Sequence, residues 1–158
     1  QVFLILFKPI GTTAHYSVYV VNRYHGSMDI LDSLSYTNME TSRTSFHGDC
    51  QSIMKIFVGL LEEVYGKAAY KASKQPNWVT IAKRPTFIDV PKQKSNDCGF
   101  FAMKFCSSYN GDEVVEDFGD VEAAVYDWMA EFMHTLIFSE KNEVVRSELP
   151  KEIQSFGP

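Results

Sequence analysis

Apolar runs near the start of the chain have the length and spacing of β-strands. Residues 2–7 are continuously apolar and predict a buried core strand. Residues 16–21 are rich in β-branched and aromatic side chains, and residues 28–32, after a polar turn, predict the returning strand. We therefore expect a core strand followed by a β-hairpin over residues 16–32.

The middle of the chain carries the clearest helical period. Apolar residues recur at i, i+3, i+4, i+7, i+8 and i+11, which predicts one inward-facing stripe on a helix that ends near Gly66. The predicted stripe is Ile53, Ile56, Phe57, Leu60, Leu61 and Val64. Residues 33–48 are rich in Ser, Thr and Asn and predict a loop that leaves His47 at the helix entry. Residues 67–77 predict a polar connection.

The second half of the chain alternates between short apolar runs and helical patterns. Residues 78–81 and 87–90 predict two strands. A strongly apolar helix is predicted from Cys98 to about Tyr109, and an amphipathic helix over residues 121–138. The inward positions of that last helix are expected to be Val121, Val125, Trp128, Phe132 and Leu136. This order of elements predicts an α+β fold with a mostly antiparallel sheet.

Length and composition narrow the class of protein. The 158 residues suffice for one domain with a core, and an apolar content of 45% argues against disorder. We divide the chain into a domain over residues 1–138 and a polar tail over residues 139–158. The net charge of −5 and the lack of a Lys/Arg run give no sign of nucleic-acid binding. The sequence has no apolar run of about 18 residues, so we expect no membrane span. We also expect a monomer.

Cys98 is the strongest candidate for chemistry. It follows a polar run, residues 91–97, and begins an apolar helix, where backbone N–H groups and the helix dipole favour a thiolate. His15 lies at the start of the first strand of the predicted hairpin and Asp32 at the end of the second, and these two strand ends are neighbours in an antiparallel pair. An imidazole oriented by a carboxylate can deprotonate a thiol. Whether Cys98 reaches this pair depends on the tertiary fold.

Other cysteines and acidic residues have plainer interpretations. Cys50 and Cys106 lie on apolar or amphipathic helices and are expected to be inert core thiols of a reducing compartment. Asp29 is the competitor of Asp32, but strand alternation directs it to the opposite face of the sheet. Metal binding is disfavoured, because the three cysteines form no Cys-x-x-Cys pair and no two histidines have helical ligand spacing. Of the other histidines, His25 is expected to be solvated at the hairpin tip, and His134 is expected at the rim of the last helix.

Four short motifs occur in a fixed order along the chain. They are His15-Tyr16, Asp32-Ser33-Leu34, Pro91-Lys92-Gln93 and Asp97-Cys98-Gly99. In this order they resemble the ubiquitin-like-protein-specific cysteine proteases that process SUMO. The sequence of residues 95–105 is similar to that of a branch of this family carried by plant mobile elements. The chain departs from the pattern in having Tyr16 where many members have Trp. It also has four residues between Gln93 and Cys98, where many members have five.

This resemblance implies a fold, an activity and a set of roles. The fold is a papain-like, SUMO-protease-type α+β fold with the nucleophile at the N-terminus of a central helix. Cys98 is then the nucleophile, His15 the general base, Asp32 its orienter and Gln93 an oxyanion donor. The implied activity is that of a thiol protease or isopeptidase that cleaves after the C-terminal glycine of a ubiquitin-like modifier, without a cofactor, in the nucleus or cytoplasm.

Two other functions stay open on the sequence. Family members carry a long segment before the histidine, whereas 14 residues precede His15. We therefore expect an N-terminally truncated domain, which leaves a catalytically impaired modifier-binding module as one alternative. A cysteine-dependent acyltransferase that uses the same three residues is the other, although the sequence contains nothing like a coenzyme site.

Overall fold

The computed structural model describes residues 1–36, 39–65, 78–139 and Lys151. Within these residues the strands, in chain order, are β1 (Val2–Ile10), β2 (Thr13–Asn22), β3 (Ser27–Leu31) and β4 (Pro85–Phe87). They form one sheet in the order β1-β2-β3-β4. The first three strands are mutually antiparallel and β4 is parallel to β3. The predicted α+β class with a mostly antiparallel sheet is confirmed.

The helices described lie in two compact units of the chain. They are α1 (Met39–Tyr65), α2 (Trp78–Ala82), α3 (Cys98–Ser108) and α4 (Val121–Phe138). One unit, Gln1–Asp117, contains the sheet and the first three helices, and the other, Phe118–Pro158, contains α4. Within the described ranges no helix is both long enough and apolar enough to cross a membrane.

The predicted hairpin is present and forms the centre of the sheet. Val18 pairs with Leu31 and Asn22 with Ser27, so the two strands are joined by a short turn that contains Gly26 at a φ of 66°. Glycine adopts this left-handed conformation at little cost. Strand β2 is buried almost continuously because it has a neighbouring strand on each side and helices α2 and α3 also contact it.

Strand β1 exists, but the prediction that it is a buried core strand is wrong. It lies at the edge of the sheet, and Ile5 and Phe7 are 46% and 54% exposed. Its other side-chain row, which includes Leu4 and Leu6, packs against the core. A continuous apolar run therefore marks an edge strand here, with one face packed and one face open.

Helix α1 corrects two predictions. It begins at Met39, so the predicted loop over residues 33–48 is wrong beyond that point, and His47 lies inside the helix. The inward row is His47, Cys50, Met54 and Val58, all nearly inaccessible to solvent. The polar side chains of Thr44 and Ser45 face outward, which explains how a Ser/Thr-rich segment belongs to a helix.

The predicted inward stripe of α1 is also wrong at most of its positions. Phe57 and Leu61 pack against the core cluster. The other four members of the predicted stripe are exposed by 49 to 77%: Ile53, Ile56, Leu60 and Val64. Periodicity located the C-terminal part of the helix, but a helix with apolar residues on two faces does not show which face the sheet covers.

Two short predicted strands differ from the structure. The segment predicted as a strand over residues 78–81 is helix α2, and its Ile81 and Ala82 join the core. The strand predicted over residues 87–90 overlaps β4 only at Phe87. The predicted connection over residues 67–77 lies outside the described residues, as does almost all of the predicted tail.

Helices α3 and α4 begin and end close to the predicted residues. In α3, Phe101, Ala102 and Phe105 are buried, and the helix contacts β2. The backbone N–H of Tyr109 closes the last turn by donating to the Phe105 carbonyl. In α4, Val125 and Trp128 are buried as expected, whereas Leu136 is 64% exposed and its predicted inward position is wrong.

Candidate active site

The hairpin brings His15 and Asp32 into direct contact. His15 lies near the start of β2 and Asp32 follows the last residue of β3, at the same end of the antiparallel pair. The His15 Nε2 atom is 2.6 Å from Asp32 Oδ1, and both side chains are buried. This hydrogen bond orients the imidazole ring and leaves Nδ1 as the ring nitrogen available for proton transfer.

Asp32 accepts hydrogen bonds on both carboxylate oxygens. Oδ1 also accepts from the backbone N–H of Leu34 at 2.8 Å, while Oδ2 accepts from the Tyr36 hydroxyl at 2.6 Å and lies 2.8 Å from His47 Nε2. Burial by itself would raise the pKa of Asp32. The hydrogen bonds from His15, His47 and Tyr36 outweigh that effect and hold the pKa well below its usual range.

His47 is a member of this cluster that the sequence prediction missed. Its side chain is fully buried, its Nδ1 atom is 2.5 Å from the Tyr19 hydroxyl, and its Nε2 atom is 3.1 Å from the Tyr36 hydroxyl. The available signal was the spacing of His47, Cys50, Met54 and Val58 at i, i+3, i+7 and i+11. That row extends the apolar face of the helix back to a histidine.

Cys98 begins helix α3 and is 6% exposed. Its Sγ atom is 3.9 Å from the carbonyl oxygen of Ala14, the residue immediately before His15. The thiol therefore lies against the start of β2, where the imidazole is also attached. The N-terminus of an 11-residue helix also creates a positive potential at this thiol.

Gln93 is held in the loop that leads to α3. Its Oε1 atom accepts from the Ser33 hydroxyl at 2.6 Å, and its Nε2 atom donates to the Ser95 carbonyl at 2.9 Å. The backbone N–H of Gln93 donates to the Ser33 carbonyl at 2.8 Å. These bonds link the Gln93 segment to the residue after Asp32, and the second amide proton of Nε2 can serve another acceptor.

An aromatic ring borders the first turn of α3. A Cβ atom placed on Gly99 would be 3.9 Å from Cδ2 of Tyr16, which follows His15 in β2. Tyr16 is 40% exposed and its ring contacts that of Phe7 with centroids 5.1 Å apart. The Tyr16 side chain thus lies on the open side of the region where β2 and α3 meet.

The remaining candidate residues lie elsewhere. Cys50 is in the core, and Cys106 is a half-buried thiol whose pKa burial raises. His25 is at the hairpin tip, as predicted, with a partner in Asp112 at 2.6 Å, and His134 is exposed on α4. In the part of the chain that the structure describes, no three His, Cys, Asp or Glu side chains form a group that could hold a metal ion.

The structure thus places the buried His15–Asp32 pair and the thiol of Cys98 at the same end of β2. A family model described as the Ulp1 protease family, C-terminal catalytic domain, matches residues 4–135. The chain therefore belongs to the Ulp1 protease family, a family of SUMO-type cysteine peptidases, and the resemblance seen in its motifs is confirmed. Neither a curated protein nor a solved structure shows significant similarity to the chain.

Proposed function

We propose that the protein is a thiol protease and isopeptidase that cleaves after the C-terminal glycine of a SUMO-like modifier. Cys98 is the nucleophile, His15 the general base and Asp32 its orienter. The observation that carries the proposal is the 2.6 Å bond between His15 Nε2 and Asp32 Oδ1, made at the same end of β2 that the Cys98 thiol contacts. The modifier and its conjugates are then the partners of the protein.

The first half of the reaction forms a thioester. His15 Nδ1 accepts the thiol proton of Cys98, and the thiolate attacks the carbonyl carbon of the terminal glycine. Negative charge moves to the carbonyl oxygen, which accepts hydrogen bonds from the backbone N–H of Cys98 and from the Gln93 amide. The C–N bond then breaks as His15 returns the proton to the departing amine, and the glycine stays bound to sulfur.

The second half consumes one water molecule. His15 accepts a proton from the water, whose oxygen attacks the thioester carbonyl carbon. The C–S bond breaks, the modifier leaves with a free carboxylate, and the proton on His15 restores the Cys98 thiol. Asp32 remains ionised throughout and stabilises the imidazolium each time that it forms.

Thiol chemistry fits a reducing compartment, so we propose that the protein acts in the nucleus or cytoplasm. We also propose that it acts as a monomer. Cys50, Cys98 and Cys106 are all free thiols. The catalytic residues all fall within residues 1–138, which we propose as the catalytic domain, with residues 139–158 as its tail.

A SUMO-type modifier with an electrophile in place of its C-terminal carboxylate tests this proposal. The reduced wild-type protein is expected to gain the mass of one modifier, with the adduct on Cys98. Cys98→Ala is expected to abolish the adduct, whereas Cys106→Ala, on the same helix, is expected to keep it. Cleavage of a modifier–peptide fusion should fall by about 10²–10⁴-fold in His15→Ala.

Two results would contradict the proposal. An adduct that persists in Cys98→Ala would place the nucleophile elsewhere. A folded, reduced wild-type protein that binds the modifier but forms no adduct would be a binding module, not an enzyme.

A further inference from the structure

His47 lies outside the motifs that define the family resemblance, yet it reaches the same carboxylate as His15. The two imidazoles approach Asp32 from different sides, His15 on Oδ1 at 2.6 Å and His47 on Oδ2 at 2.8 Å. All three side chains are at least 96% buried, so solvent does not supply alternative partners.

The hydrogen-bond partners define where the protons lie. An ionised carboxylate only accepts, so the Nε2 atoms of His15 and His47 both carry a proton directed at Asp32. The other ring nitrogen of His47, Nδ1, lies 2.5 Å from the Tyr19 hydroxyl, which can donate to it. Burial raises the pKa of Tyr19, and a hydrogen bond with the Cys50 side chain adds to this effect, so the hydroxyl stays protonated.

This network connects the carboxylate to the buried core of the unit. Tyr19 belongs to the buried central strand β2 and His47 to the third turn of α1, whose inward row packs into the core. The His47 ring also contacts the Phe87 ring of β4, with centroids 5.3 Å apart. Asp32 itself follows the last residue of β3 and is not paired in the sheet. The orientation of its carboxylate therefore depends on the side chains that hydrogen-bond to it.

We propose that His47 is a positioning residue that holds the Asp32 carboxylate in the plane that directs Nδ1 of His15 toward Cys98. Without His47, Oδ2 keeps the Tyr36 hydroxyl but loses the donor fixed by α1 and β2, and the carboxylate can rotate. Rotation of Asp32 turns the His15 ring, because the two are joined by one short hydrogen bond. The inference rests on the proposed function for its catalytic readout.

Two amide variants of His47 separate positioning from mere folding. In His47→Gln the amide N–H reaches about as far as Nε2 and can still donate to Asp32. In His47→Asn the amide is one methylene shorter, so it keeps a polar group near Tyr19 but does not reach Asp32. We expect His47→Gln to keep kcat within about fivefold of wild type and His47→Asn to lose about 10–100-fold in kcat with little change in KM.

A matched control uses the other histidine–carboxylate pair. His25 and Asp112 are also 2.6 Å apart, but their side chains are 42% and 70% exposed. His25→Asn is expected to leave kcat and KM at their wild-type values. A comparable loss in His25→Asn would show that the effect of His47→Asn is not specific to the Asp32 network.

The second readout is alkylation of Cys98 by iodoacetamide as a function of pH, which needs no modifier. In His47→Asn we expect slower alkylation near neutral pH and a shift of the reactive limb to higher pH, with His47→Gln near wild type. Equal kcat values and superimposable pH profiles for the Gln and Asn variants would overturn the inference.

The two readouts also separate this inference from the proposed function. A wild-type protein that cleaves no modifier, together with the expected difference in alkylation, would refute the substrate while supporting the role of His47. Modifier cleavage by the wild-type protein, with the same kcat and alkylation profile in His47→Gln and His47→Asn, would support the proposed function and refute the role of His47.

Discussion

Asp29 and Asp32 are three positions apart, and the structure gives them separate surroundings. Asp29 is 2% exposed and accepts from the Asn22 amide at 2.7 Å, the Ser27 hydroxyl at 2.6 Å and the Tyr109 hydroxyl at 2.8 Å. These donors belong to the hairpin and to the end of α3. We interpret Asp29 as a structural carboxylate that ties α3 to the sheet.

Replacing Asp29 by Ala should therefore destabilise the fold without removing a catalytic group. Three donors would lose their acceptor, and we expect the free energy of unfolding to fall by about 2–4 kcal/mol. Urea denaturation measures this loss. The folded fraction should keep kcat/KM within about threefold of wild type. Asp112→Ala, at an exposed carboxylate, should change stability by less than about 0.5 kcal/mol. A catalytic loss as large as that of Asp32→Ala would contradict this division of roles.

At the scale of elements, α1 is the helix whose orientation matters most for the site. It presents His47 to Asp32 only because the row from His47 to Val58 faces the sheet, while Ile53, Ile56, Leu60 and Val64 face outward. A rotation that exchanged these rows would remove the histidine from the carboxylate. The packing of the core residues therefore fixes the position of a polar group.

A pair of substitutions on α1 tests this orientation. Met54 is fully buried and Ile56, two residues later, is 68% exposed. Met54→Ala should lower the free energy of unfolding by about 2–5 kcal/mol, because it removes buried atoms and leaves a cavity. Ile56→Ala should change it by less than about 0.5 kcal/mol. Thermal or urea denaturation of both variants measures these changes. A larger loss of stability in Ile56→Ala than in Met54→Ala would mean that the opposite face of α1 is buried.

At the scale of the whole molecule, the buried Asp32 carboxylate links stability to pH. Burial by itself raises the pKa of Asp32. The hydrogen-bond donors around the carboxylate have the larger, opposite effect, so its pKa is well below that of an unfolded aspartate. Between the folded pKa and about pH 3.9, the unfolded chain binds more protons at this site than the folded protein. The contribution of Asp32 is therefore present above that range and is lost as the pH falls through it.

This linkage predicts how Asp32→Asn differs from wild type. The wild-type protein should be the more stable of the two above about pH 5, and the difference should shrink as the pH falls below about 4. Chemical denaturation of both proteins at several pH values between 6 and 2 measures it. A stability difference that stays constant over this range would show that Asp32 is not a depressed carboxylate in the folded protein.

Local features of the sequence determined the hairpin, the start and end of α3, the bounds of α4 and the four motifs. Turn residues, helix boundaries and strand composition act over a few residues, so they are visible without a fold. The hairpin also sufficed to bring His15 and Asp32 together, because antiparallel pairing fixes which strand ends meet.

Only the tertiary structure decided which face of α1 is inward, that residues 78–82 are helical, that β4 runs parallel to β3 and that His47 joins Asp32. Each of these depends on contacts between segments far apart in sequence. A periodic pattern gives the spacing of side chains around a helix, but only the neighbouring sheet selects the row that is buried. The same selection brings a histidine from α1 to a carboxylate after β3, because a buried polar group is stable where it finds its hydrogen-bond partners.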